Sequence, residues 1–176
     1  MNLKTLKQTR NAFLGVLLFG SANYAIAQTT KKVQEKVVAT DSIKTSTEQQ
    51  VQETPEILVD VANKYLEKKD WPNALTAWKK VSTALPEWAP SYYSQGYIYQ
   101  NLKENENAKT AFEKYISLIK PEEIEANKRN LSYAHLFVAF SNIEKNKDLA
   151  KQHITKSLEY DPNNQDAIKL YKALNP

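Results

Sequence analysis

Residues 55–88 read PEILVDVANKYLEKKDWPNALTAWKKVSTALPEW, and residues 89–122 read APSYYSQGYIYQNLKENENAKTAFEKYISLIKPE. Laid one over the other, these two 34-residue stretches agree in character at five places. Leu58 falls on Tyr92, Ala62 on Gly96, Tyr65 on Tyr99, Ala74 on Ala108 and Trp78 on Phe112. A third copy runs from about Leu131 to Asn164, displaced by eight further residues, with Val138, Ala150, Ile154 and Pro162 at the equivalent places. A helix pair of this length cannot bury its apolar face alone, so the copies must stack, each covering the next. The expected fold is all-α: a right-handed helical-hairpin solenoid of about three repeats, closed by a C-terminal helix.

Within each copy the spacing is helical. Leu58, Val61, Ala62, Tyr65 and Leu66 form one stripe, and Ala74, Leu75, Ala77, Trp78 and Val81 form the next, after the turn Lys68-Lys69-Asp70. Pro55 and Pro72 sit where a first helical turn tolerates a missing N–H. Tyr92, Gly96, Tyr99 and Leu102, then Ala108, Ala111, Phe112, Tyr115 and Ile116, repeat the arrangement. The polar insertion Glu122–Asn130 precedes the third stripe of Leu131, Ala134, Phe137 and Val138. Pro121-Glu122-Glu123 is a good helix start with no breaker after it, so extra helical turns are expected, a loop being the alternative. The repeats are placed at about 55–88, 89–122 and 131–164, with a capping helix over 165–174 that turns Ala167, Leu170, Tyr171 and Leu174 to one side.

The first 27 residues read as a processing signal. Lys4, Lys7 and Arg10 precede the apolar run Ala12–Gly20, and Ala25-Ile26-Ala27 supplies a small-x-small cleavage site before Gln28. Nine apolar residues fall short of the roughly 20 that a membrane span requires, so no membrane span is expected after cleavage. The protein is expected to be exported, periplasmic or secreted. Residues 28–54 are polar and lack any aromatic side chain, a composition that reads as a flexible linker. The whole chain carries 24 Lys+Arg against 20 Asp+Glu; without the leader the balance is 21 against 20. A near-neutral chain lacks the basic excess expected of a nucleic-acid reader, and no nucleic-acid partner is expected. Zero cysteines exclude disulfides and thiolate metal sites.

The repeat residues resemble the tetratricopeptide repeat (TPR) over about Pro55 to Leu174. Ala62, Tyr65, Ala74, Trp78 and Pro86 match its pattern in the first copy, and Gly96, Tyr99, Ala108 and Phe112 in the second, with Pro121 one place late. The third copy departs from the pattern, with Val138 at the small position and Ser141 at the aromatic one. The resemblance implies a concave groove lined by the first helices: Val59, Asn63 and Leu66, then Tyr93, Tyr97, Gln100 and Asn101, then Ser132, His135, Ala139 and Asn142. Of these, Asn63, Tyr93, Tyr97, Gln100, His135 and Asn142 are the candidate partner-binding residues. The family's carboxylate clamp is missing, since only Asn63 of its set survives while Val59, Ser94, Ser132 and Leu136 fill the other places.

Catalytic and cofactor chemistry find little material here. The sole glycine after the leader, Gly96, falls within a helical stripe, whereas a phosphate-cradling loop needs several. His135 and His153 are the only imidazoles. His135 reads as a polar groove residue and His153 as lying on an outward or inter-repeat face. Glu122, Glu123 and Glu125 suit a helix start through the dipole better than a metal site. No enzyme activity, cofactor or metal is expected. Tyr93 and Tyr97, four apart, share a helix face; they suit a binding surface, or else pack against the long third-repeat helix as structural rings. Two functions follow: an envelope adaptor that binds a protein or peptide segment in the groove, or a structural, self-associating subunit of an envelope complex.

Overall fold

The computed structural model describes residues 54–175. The expected leader and all but the last residue of the expected linker lie outside the described residues. Seven α-helices follow one another: α1 (Pro55–Glu67), α2 (Trp71–Ala84), α3 (Ala89–Asn101), α4 (Asn105–Leu118), α5 (Ile124–Asn142), α6 (Lys147–Tyr160) and α7 (Gln165–Leu174). No strand occurs among the described residues. Each helix packs on the one before and the one after it, which is the neighbour-to-neighbour stacking of a solenoid.

The helix boundaries follow from local chemistry. Proline occupies the first turn of α1, α2 and α3, where its absent N–H costs nothing. Asn146 accepts from the Leu149 N–H at 3.0 Å to start α6, and Asn164 accepts from the Ala167 N–H at 3.1 Å to start α7. Helices α1 and α3 end in the same way. The Asp70 N–H reaches the Tyr65 carbonyl and the Lys69 N–H reaches the Leu66 carbonyl, each at 3.0 Å. One repeat later, Glu104 bonds Tyr99 at 2.9 Å and Lys103 bonds Gln100 at 3.0 Å. This double closure requires a left-handed residue, and lysine takes that role in both turns, with φ 56° at Lys69 and 64° at Lys103.

The apolar core lies between the helices. Leu58, Ala62, Leu66, Ala74, Trp78 and Val81 fill the first hairpin, and Ile98 of α3 joins them. Trp88 stacks on Trp78 with centroids 6.2 Å apart. In the second hairpin Phe112 is enclosed by Tyr93, Tyr133 and Phe137, at 5.6, 5.7 and 5.1 Å. Gly96 lies flat against that ring. The insertion forms extra helix rather than a loop: Pro121–Glu123 makes one 3-10 turn and α5 continues from Ile124. Asn127 in these turns accepts the Tyr115 hydroxyl at 3.1 Å. Every residue from Leu131 to Ala139 is buried, so this stretch of α5 is interior on all sides, with Ser132 and His135 among its mainly apolar residues. Val61, expected in the core stripe of α1, instead faces outward.

A non-glycine residue in the left-handed region is strained by about 1–2 kcal/mol, while glycine gives back part of that through its freer unfolded chain. Lys103→Gly is expected to stabilise the fold by about 1 kcal/mol. Urea denaturation measures this directly; an unchanged or lower midpoint would show that the turn is unstrained.

Candidate partner-binding site

The six candidate residues do not form one continuous open groove. Asn63 on α1 and Tyr97 on α3 are half-exposed, and Asn101, one turn on from Tyr97, is exposed. The Tyr97 ring meets the edge of Trp71 at 6.0 Å, and Asn101 anchors its amide on the Tyr97 carbonyl at 2.8 Å. This part of the first-helix face is open, aromatic and polar. It spans the first two repeats.

Tyr93 departs from the binding-surface reading. Its ring packs on Phe112, Tyr115 and Tyr133, with centroids 5.6, 5.1 and 6.2 Å away, so it belongs to the core side of α3. Tyr133 comes from α5, the long third-repeat helix, and its hydroxyl donates to Gln100 Oε1 at 2.5 Å. Gln100 is thereby committed to holding α3 against α5. Burial pushes the Tyr93 and Tyr133 phenols well above the ordinary tyrosine range, with the neighbouring tyrosines adding to the effect. The Tyr93 hydroxyl is buried without a hydrogen-bond partner among the described residues.

His135 and Asn142 are not on an open surface either. Ser132, His135, Ala139 and Asn142, the four expected groove residues of the third repeat, are all buried. Their covering comes from α6 and the turn after it, and from Lys109 of the preceding α4. The Ser157 hydroxyl donates to the Ser132 carbonyl at 2.8 Å, and Asn164 Nδ2 donates to Ser132 Oγ at 3.1 Å. Asn142 Oδ1 accepts from Lys109 Nζ at 3.2 Å. His135 meets His153 of α6 with their Nδ1 atoms 2.9 Å apart. His153 is half-buried and packs within its own hairpin, a pairing that the expected outward or inter-repeat position did not include. Two isolated histidines 18 residues apart carry no sequence signal of pairing; only antiparallel packing of α5 on α6 brings them together. Among the described residues, no group of three or more His, Cys, Asp or Glu is placed to hold a metal ion.

With this geometry in view, residues 89–121 match the family model of the tetratricopeptide repeat. The match spans one repeat, the second of the three. Its solenoid resembles the C-terminal part of a TPR repeat-containing protein from Cytophaga hutchinsonii (22% identity, TM-score 0.58, covering 72% of this chain and 48% of that one). It also resembles the TPR domain of Arabidopsis OM64 (19%, 0.54, covering 69% and 94%). A third likeness is to the first TPR of Spaghetti (RPAP3) bound to the HSP90 peptide SRMEEVD (18%, 0.52, covering 70% and 91%). No curated protein matches the sequence.

A buried hydroxyl without a partner destabilises by about 1–3 kcal/mol, and its removal leaves the Tyr93 ring contacts in place. Tyr93→Phe is therefore expected to raise stability by about 1 kcal/mol, read as a higher thermal midpoint. A lower midpoint would mean that the hydroxyl is paired in solution.

Proposed function

We propose that this protein is a non-enzymatic interaction scaffold of the cell envelope that docks a protein or peptide segment on the open face of α1 and α3. The observation that carries the reading is that Asn63, Tyr97 and Asn101 are all left unburied, on the helices that line the groove in the resemblance. Tyrosine suits such a face because its ring buries area while the hydroxyl keeps a hydrogen bond. The solved RPAP3 repeat is bound to a peptide, which supports peptide docking for this fold. Export rests on Lys4, Lys7 and Arg10 ahead of Ala12–Gly20, with cleavage expected after Ala27. No helix among the described residues is long and apolar enough to cross a membrane.

A cross-linking pull-down from the native envelope tests the proposal, with the wild-type chain beside Tyr97→Ala/Asn101→Ala. The double variant is expected to stay helical and to weaken capture by about 2 kcal/mol. Equal capture would place the site elsewhere. Intact-mass measurement of the exported protein should find Gln28 at its N-terminus; full-length mass would contradict the leader.

Self-association is a second reading with its own observation. Ile57 and Val61 are each 39% exposed on α1. Their counterparts one and two repeats on, Ser91 and Gln95, then Tyr133 and Phe137, are buried. The α1 face is therefore what a preceding helix pair would cover. Sedimentation of the wild type and of Ile57→Asp decides: a mass that rises with concentration and falls in the variant favours the self-associating subunit, and a constant monomer mass removes it.

A further inference from the structure

The chain's two histidines meet inside the third repeat, one from each helix of the hairpin. Their Nδ1 atoms are 2.9 Å apart and their ring centroids 5.0 Å apart. Tyr160 also packs on His135, with ring centroids 5.6 Å apart. The pair opens on a shallow cleft of about 590 Å3 that Lys151, Thr155 and Glu159 also line, which gives protons a path in from solvent.

A hydrogen bond between two Nδ1 atoms needs one of them protonated and the other bare, so a neutral pair must hold opposite tautomers. One added proton leaves the bond intact. A second places two N–H groups and two positive charges face to face at 2.9 Å, which the contact cannot accommodate. The surrounding charges oppose even the first proton. Lys109 on α4 acts on His153, while on α6 Lys156 acts on His135, with Glu159 weakly countering it. Lys109 is itself shared with Asn142 of α5 and with Glu113 of α4, and Lys156 with Glu159.

We propose that the His135–His153 contact is an acid-sensitive latch that holds α6 on α5 and loosens the third repeat when the pair is protonated. Burial is the largest cause lowering both imidazoles; it takes His135 to about 4, with the His153 and Lys156 charges adding to the effect. The unfolded chain takes up protons near pH 6.5, where the folded pair does not. Stability is therefore complete above about 6.5 and falls as the pH drops towards 4. The neutral bonds of Ser132 to Ser157 and Asn164, one helical turn away, hold their part of the hairpin at any of these pH values. Acid should thus open the hairpin locally around the histidines before global unfolding.

Imidazole NMR titration of the whole protein, with hydrogen exchange at pH 7 and pH 5, tests the latch without any substitution. Both rings should titrate below 6.5, and protection relative to the intrinsic exchange rate at each pH should fall in α6 around His153 more than in α1 or α2. Titration of both rings near 6.5, or protection that falls uniformly, overturns the proposal. In parallel, H135F/H153F keeps two rings in place and removes both protonation sites. The wild-type thermal midpoint should fall by roughly 5–10 °C between pH 7 and pH 5 and the variant's should fall much less. Equal falls overturn the latch; a variant that does not fold leaves the NMR and exchange results to decide.

Discussion

The fold depends on how closely the two helices of each hairpin can approach, and the clearest instance is Gly96 against Phe112. A Cβ at position 96 would stand 2.9 Å from two ring carbons of Phe112, nearer than packed atoms tolerate. The missing side chain lets the α3 backbone rest on the ring itself. In the first hairpin Ala62 and Trp78 hold the same two places, both buried. Val138 and Ile154 hold them in the third, where the small position has grown and the large one has shrunk. Interiors are packed to crystal-like density, so these choices set the helix spacing and with it the orientation of each hairpin's outer face.

The third repeat is different in kind. Its first helix begins early, and the extra turns bring Asn127 to the Tyr115 hydroxyl. Helices α6 and α7 then cover the side that stays open on α3. An interior helix cannot leave polar groups unmatched, and α5 pairs them by position: Ser132 with Ser157 and Asn164, Asn142 with Lys109, His135 with His153. Of the expected groove residues, those left open lie on α1 and α3, so those of the third repeat can influence a partner there only through the packing of α5.

Much of this was readable before any coordinates. The 34-residue register identifies the hairpins, and Pro121-Glu122-Glu123 with no later breaker points to the lengthened helix. Of the candidate site residues, Asn63 and Tyr97 stay on an open face as their helix spacing leads one to expect. Periodicity places Tyr93 and Tyr97 on one side of α3, but it carries no information about what crosses that side. Tyr133 arrives there from α5 and takes Tyr93 into the core. His135 fails as a groove residue for the same reason, since its covering comes from His153 and Tyr160 on another helix. Local pattern reports a helix's own faces; burial by neighbours is a tertiary fact.

A double-mutant cycle tests the close approach at Gly96 most directly. Gly96→Ala alone gains about 1 kcal/mol of helix propensity. It also forces a methyl onto a ring that Tyr93, Tyr133 and Phe137 prevent from moving, a strain of about 1–3 kcal/mol. Phe112→Leu alone leaves a cavity. Combined, the methyl should occupy space the ring has vacated, so the double variant should be at least about 1 kcal/mol more stable than the sum of the single losses predicts. Additive losses in urea denaturation would show that Gly96 and Phe112 do not constrain each other and would contradict the account.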